Sequence, residues 1–250
     1  MSLIPQLMSG NRLEHDAVSD KGWHSRSPGN YVQIFDDFFG DGALALDGAT
    51  LGTGGQFVNH DTSSSGAPVL AFQGAADGVY RMKFASDAES EILATYLGDA
   101  ICIPPTKKPI FEARVKITGT FSADDRVVIG LGSARNATLD SVADHVWFRM
   151  EGANNNILVE GDDVATDNDD NDTSVDWTTG TFHIYKIDMS DTSNVRFFVD
   201  GTECVLPEAI DVSGMVAGDL LQPIIEMQKD GGSVEHSVDI DYISVLWERS

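Results

Sequence analysis

At 250 residues, 42% of them hydrophobic, the chain is long enough for one large domain with a substantial buried core. Its 16 basic and 40 acidic residues give a net charge of −24, and a surface that acidic repels phosphate backbones, which argues against nucleic acid as a partner. No apolar run reaches the length of a membrane span, so no membrane partner is expected.

The first thirty residues, MSLIPQLMSGNRLEHDAVSDKGWHSRSPGN, show no sustained period of 2 or 3.6. Such a segment buries too little to offset the entropy of ordering its backbone, and it is read as an extended N-terminal arm over residues 1–30. The arm needs a surface to lie on, either another protein or its own domain. Up to Phe35 its charges balance: Arg12, Lys21 and Arg26 against Glu14, Asp16 and Asp20. The remaining 13 basic and 37 acidic residues place the whole excess on the body. A neutral arm on an acidic, soluble body reads as a docking segment, with Leu3, Ile4, Leu7, Met8, Leu13 and Trp23 as apolar contacts. The N-terminus lacks the pattern of a secretory leader, so synthesis in a cytoplasm without standard export is expected.

The body, residues 31–250, reads as strands separated by Gly- and Ser-rich turns. Short β-rich runs stand at Tyr31–Phe35, Gln56–Asn59, Pro68–Gln73 and Val79–Phe84. Ser90–Leu97 fits a strand or one helical turn. Phe111, Ala113, Val115 and Ile117 alternate with Glu112, Arg114 and Lys116, the pattern of a half-buried antiparallel strand. Arg126–Gly132 is an inner strand. Over Asp144–Met150, Val146 and Phe148 share one face, and His145, Trp147 and Arg149 the other. Ile157–Val159 follows an Asn-rich turn. Phe182–Ile187 pairs with Val195–Val199, and Asp200–Gly201 turns the chain into Glu203–Leu206. Gln222–Gln228 and Ser237–Trp247 close the domain; on the latter Val238, Ile240 and Tyr242 face in, and Asp239 and Asp241 out. Only Asp211–Ala217 suggests a helical turn. Signals about ten residues apart indicate an all-β jelly-roll sandwich.

Chemistry-bearing motifs are sparse. Glycoside hydrolysis needs two carboxylates about 5–10 Å apart, and Asp239 with Asp241 is the nearest approach, without a third acid. The six histidines are dispersed and none neighbours a nucleophile elbow, and His145 and His183 read as surface or satisfied strand residues. No phosphate loop is present. Asp167–Asp172 offers oxygen ligands at alternate positions, but Asp172 stands where a calcium loop needs Gly and Thr178 where it needs Glu, so the run reads as a solvated acidic loop. No metal site and no cofactor is assigned. Cys102 and Cys204 show no metal or redox spacing, and whether they pair stays open. Trp23, Trp147, Trp177 and Trp247 are candidate sugar-stacking platforms or core residues.

Four segments occur in a telling order: Phe35-Asp-Asp-Phe-Phe-Gly40; Phe111–Ile117; His183–Asp188 with Val195–Gly201; and Val238–Val245. Together they resemble the concanavalin A-like (laminin G-like) jelly-roll domain of tailed-bacteriophage virion proteins, over residues 31–247. The resemblance implies a non-enzymatic structural role: a capsid decoration protein on the outer surface of a phage head. Its partners would be the major capsid protein and neighbouring copies of itself, with trimers favoured, and the arm would act as the staple. A carbohydrate-binding module or host-attachment adhesin is the alternative, with a glycan as ligand.

Overall fold

The computed structural model describes residues 31–38, 44–46, 57–74, 78–163, 165–233 and 235–249, together with the backbone of two strands, 12–15 and 23–26. The strands are β1 (Arg12–His15), β2 (Trp23–Arg26), β3 (Tyr31–Asp36), β4 (Ala45–Leu46), β5 (Val58–Asp61), β6 (Val69–Phe72), β7 (Tyr80–Lys83), β8 (Ser90–Tyr96) and β9 (Ile110–Thr118). They continue with β10 (Arg126–Gly132), β11 (His145–Glu151), β12 (Asn156–Asp162), β13 (Asp167–Asp176), β14 (Phe182–Asp188), β15 (Arg196–Val199), β16 (Thr202–Glu203), β17 (Gln222–Asp230) and β18 (Ser237–Glu248). Two 3-10 turns, Pro105–Lys107 and Leu139–Ser141, are the helical structure among the described residues.

Two sheets form the sandwich. Sheet I runs β13-β12-β11-β10-β17-β8-β5-β4, and sheet II runs β16-β15-β14-β9-β18-β7-β6, with β3 also paired to β18. The ladders are antiparallel except β4 with β5. Side chains alternating along each strand turn one set into the space between the sheets. Val127, Ile129 and Leu131 of β10 and Phe148 of β11 meet Phe111, Val115, Ile187 and Phe197 of sheet II in one continuous core. Each such side chain taken from water contributes about 1.5–3 kcal/mol before entropy is counted. The concanavalin A-like jelly-roll sandwich expected for the body is therefore the fold.

Several local expectations hold. On β9, Phe111, Ala113, Val115 and Ile117 are buried in the core. Asp200 and Gly201 both have positive φ, 50° and 78°, as a two-residue hairpin turn with right-handed strand twist requires. Ser90–Tyr96 is a strand. Cys102 and Cys204, whose pairing the sequence leaves open, are both free thiols.

Others are corrected. The Asp167–Asp172 run is no loop but the start of β13, because pairing with β12 satisfies its backbone while its acidic side chains stay at the sheet edge. No helix forms at 211–217. On β18 the ladder with β9 shifts register between Ile240 and Tyr242. A bulge reverses the alternation, so Ile243, Val245 and Trp247 enter the core. Tyr242 instead faces out, stacked on Phe35 and donating to Glu112. Within the arm, β1 and β2 form an antiparallel pair, Arg12 opposite Arg26; runs of four residues are too short to register as periodicity. Leu13 and Trp23 fall on these two strands, while Leu3, Ile4, Leu7 and Met8 lie outside the described residues.

Candidate functional site

The outer face of sheet I, turned away from sheet II, carries the buried acids. Glu160 on β12 accepts from the Arg149 Nη1 and the Trp147 indole N–H, both at 2.6 Å. Glu226 on β17 accepts from Arg135 Nε and Gln228 Nε2, both at 2.7 Å. Burial pushes both carboxyls up, and their arginines oppose it. The sequence sets Trp147 and Arg149 on the face opposite Val146 and Phe148 and leaves Trp147 as a stacking platform or a core residue; it is 0% exposed and so no platform. Residues 133–144 cross over that face, and Leu139 and Val142 pack with Trp147, Val128, Tyr96 and Ile224 in a second apolar cluster. Glu160 and Glu226 lie three strands apart, about 14 Å at ordinary strand spacing, beyond the reach of a hydrolytic carboxylate pair. The middle of this face is a sealed layer.

The closing-strand acids are also neutralised. Asp239 is 1% exposed and is held by Arg81 (2.6 and 2.8 Å) and by Lys116 (2.8 Å). Burial alone would raise its carboxyl, but these bonds hold it below the ordinary range. Asp241 pairs with Arg114. Neither faces a cleft with a second acid. Trp247 belongs to the core.

An open hollow lies elsewhere among the described residues. Edge strands β13 and β16 stand on the same side of the sandwich, and between them lies a pocket of 340 Å³. Ile157, Val175, Tyr185 and Val199 form its apolar floor; Trp177, Asp176, Thr178, His183, Asp200, Thr202 and Glu203 complete the lining. Trp177 is fixed in orientation: its indole N–H donates to Asn154 O at 2.8 Å, and its ring meets Phe121 edge-on at 4.9 Å. Asp200 is held by the hairpin turn and accepts from Ile184 N–H through Oδ1 (2.8 Å). Its Oδ2 accepts from His183 Nδ1 at 2.7 Å, and Nε2 of the same ring lies 2.8 Å from the Thr178 hydroxyl. A hydroxyl, an imidazole and a carboxylate are thus joined in one chain of hydrogen bonds beside an aromatic ring.

Sequence reading singled out Trp177 and His183 separately but not the pocket, and it passed over Glu203 and Thr202. The signal was present in the hairpin. Pairing Tyr185 with Val199 sets His183 beside the Asp200–Gly201 turn, once the β14–β15 register is taken seriously.

Among the described residues two groups of acids have the spacing of cation sites, Asp87 with Glu89 and Glu91, and Asp162 with Asp167 and Asp169. The first already holds a cation: the buried Lys229 ammonium lies 3.3 Å from Asp87 Oδ1 and 3.3 Å from Glu91 Oε2.

No protein-family model matches the chain, and no curated protein matches it. Solved structures do. A Shewanella oneidensis MR-1 protein of unknown function is 15% identical with a TM-score of 0.56, over 88% of this chain and 87% of that one. A structure reported under endo-acting O-glycanases of human gut microbiota that initiate mucin breakdown is 11% identical with a TM-score of 0.56, over 87% and 99%. The laminarinase from Rhodothermus marinus is 14% identical with a TM-score of 0.55, over 87% and 97%. These likenesses establish the jelly-roll class. They also correct the expectation of a non-enzymatic capsid decoration protein. Of these three, the two with a stated activity are reported as enzymes of glycan breakdown and none is described as a virion protein, so the fold lends no support to a purely mechanical role.

Proposed function

We propose that this protein is a carbohydrate-active jelly roll that takes a glycan in the pocket beside Trp177. The observation that carries the reading is the lining itself. One indole of fixed orientation stands next to three carboxylates, an imidazole and two hydroxyls, above an apolar floor. A sugar ring has an apolar face of C–H groups that stacks on an indole and a rim of hydroxyls that needs charged or neutral acceptors. The pocket volume lies at the low end of the range for small-molecule sites, the size for one or two sugar units at a chain end or branch. Hydrolysis is the chemistry that several carboxylates in one hollow permit, since glycosidic cleavage needs two of them within about 5–10 Å. The fold shared with the laminarinase and O-glycanase structures supports the same ligand class, while the sealed face of sheet I moves the site to the sandwich edge.

The test is a panel of soluble polysaccharides and mucin-type glycans, read by tryptophan fluorescence for binding and by reducing-end release for cleavage. Trp177→Ala is expected to weaken binding at least about tenfold. Asp200→Asn, which frees His183 while sparing the indole, is expected to weaken binding without lowering the melting temperature. A wild-type protein that binds no glycan, or a Trp177→Ala variant that binds as well as wild type, overturns the reading.

A further inference from the structure

The hydrogen-bonded chain in the Trp177 pocket has a direction. Thr178 Oγ1 lies 2.8 Å from His183 Nε2, and His183 Nδ1 lies 2.7 Å from Asp200 Oδ2. The hydroxyl meets one ring nitrogen and the carboxylate the other, each within the reach of about 2.6–3.2 Å that joins a nucleophile to its base. A hydroxyl on Nε2 and a carboxylate on Nδ1 is the arrangement of a nucleophile, a general base and the group that orients the base. It is recognised by geometry and roles, not by order in the sequence. All three residues line the pocket.

Each is placed by its backbone. Asp200 takes a positive φ of 50° in the hairpin turn. Its N–H donates to Ile184 O at 2.9 Å and its Oδ1 accepts from Ile184 N–H at 2.8 Å, which holds Oδ2 toward the ring. His183 on β14 stands opposite Val115 of β9, a core residue, so the two share the inner side of sheet II with Tyr185. The His183 side chain is nevertheless 21% exposed, because it lies at the rim of the hollow. Thr178 directly follows Trp177, whose indole is fixed, and is itself exposed, so a ligand seated on the indole brings its substituents to the hydroxyl.

We propose that Thr178, His183 and Asp200 form a nucleophilic triad that removes O-acyl groups from sugar hydroxyls, an ester-cleaving activity beyond cleavage of the glycosidic bond. His183 Nδ1–H donates to Asp200, which leaves Nε2 to accept the Thr178 proton. Oγ1 bonds to the ester carbonyl carbon as its proton passes to Nε2, and the carbonyl π electrons move onto oxygen. When this adduct collapses, the bond from carbon to the sugar oxygen breaks and Nε2 gives the proton to that oxygen, leaving the acyl group on Thr178. Water then adds to the acyl carbon and yields a proton to Nε2. The bond to Oγ1 breaks, Oγ1 takes the proton back, and a carboxylic acid departs. Asp200 touches no substrate: it positions the ring and stabilises the imidazolium formed in each half. The Thr202 hydroxyl, in the same lining, offers a hydrogen to the carbonyl oxygen as that oxygen gains charge. The apolar floor of Ile157, Val175 and Val199 suits a short acyl chain. The sugar as carrier of the ester rests on the glycan reading above; the triad does not.

The experiment follows hydrolysis of p-nitrophenyl acetate and acetate release from acetylated xylan by the full-length protein. Acid-quenched samples are examined by peptide mass spectrometry. Saturable turnover of both esters is expected, with one acetyl group trapped on Thr178. Thr178→Val keeps the shape of an exposed side chain without its hydroxyl. It is expected to lower kcat at least about a hundredfold and to lose the adduct at an unchanged melting temperature, while Thr178→Ser restores both. Asp200→Asn is expected to lower kcat for p-nitrophenyl acetate with little change in KM, the mark of a positioning group. Ester cleavage no faster than by an equal concentration of imidazole, equal turnover in Thr178→Val, or an acetyl group found on another residue overturns the proposal. Since p-nitrophenyl acetate carries no sugar, its cleavage without glycan binding supports the triad and removes the glycan reading. Glycan binding with this ester left intact does the reverse.

Discussion

His236 is 0% exposed and wedged between Phe84, edge-on at 4.6 Å, and Phe121 at 4.1 Å, and neither ring nitrogen has a hydrogen-bond partner. Burial, reinforced by the nearby Lys229 ammonium, pushes its pKa down to about 4, while Asp125 Oδ2 at 3.7 Å is the carboxylate that faces it. The native imidazole is therefore neutral over a range in which the unfolded chain takes up a proton. Since the folded value lies below the ordinary 6.5, the stability at stake is fully present above pH 6.5 and is lost as pH falls toward about 4. His236→Phe keeps an aromatic ring in an aromatic slot and removes the titration. Its stability relative to wild type is expected to rise steadily between pH 6.5 and 4, by up to about 3 kcal/mol. Urea denaturation at a series of pH values measures it, and parallel profiles for the two proteins would count against a buried neutral His236. His145, also lowered to about 4, adds to the same acid-side loss in wild type.

Among the elements, β10 shows how closely neighbouring strands of one sheet approach. A Cβ at Gly130 would stand 2.4 Å from Val146 O and 2.6 Å from Trp147 Cα on β11. Gly130→Ala is expected to force the two strands apart under the second cluster and to cost about 1–3 kcal/mol, read as a lower denaturation midpoint with an unchanged slope. Gly132, two residues on, has ordinary contacts at 3.5 Å and beyond, so Gly132→Ala is the control that should change little. The same strands show what was legible in the sequence. Period-2 alternation gave β9 and the two faces of β11 correctly, because it follows directly from the pleat. It did not show that the Trp147 face is covered, since the covering residues 133–144 have no period and meet that face only through tertiary packing. β13 was hidden for a different reason. Its acids and amides have poor strand propensity, and a backbone ladder to β12 overrides it. The bulge on β18 is one extra residue, invisible to a pattern that assumes strict alternation. The pocket draws on β12, β13, β14, β15 and β16, so no local spacing encodes it.

On the scale of the molecule, the two sheets begin at Tyr31 and the core they enclose begins, among the described residues, at Val32. β3 contributes Ile34 to that core and pairs with β18 from Ile243 to Glu248, and Phe38, just after it, packs on Phe57 and Tyr80. The boundary between dispensable and required chain thus falls between residues 30 and 38. A protein starting at Tyr31 is expected to melt within about 2 °C of the full chain. A protein starting at Phe39 loses Ile34 and Phe38 and bares one edge of β18, and it is expected to lose several kcal/mol and to aggregate. Light scattering on the Tyr31 form separates the two roles that residues 1–30 have been assigned. A smaller species with unchanged melting means that these residues join copies of the chain. An unchanged mass places any self-association on the sandwich, where 37 acids against 13 bases on residues 36–250 make it a contact that salt must strengthen.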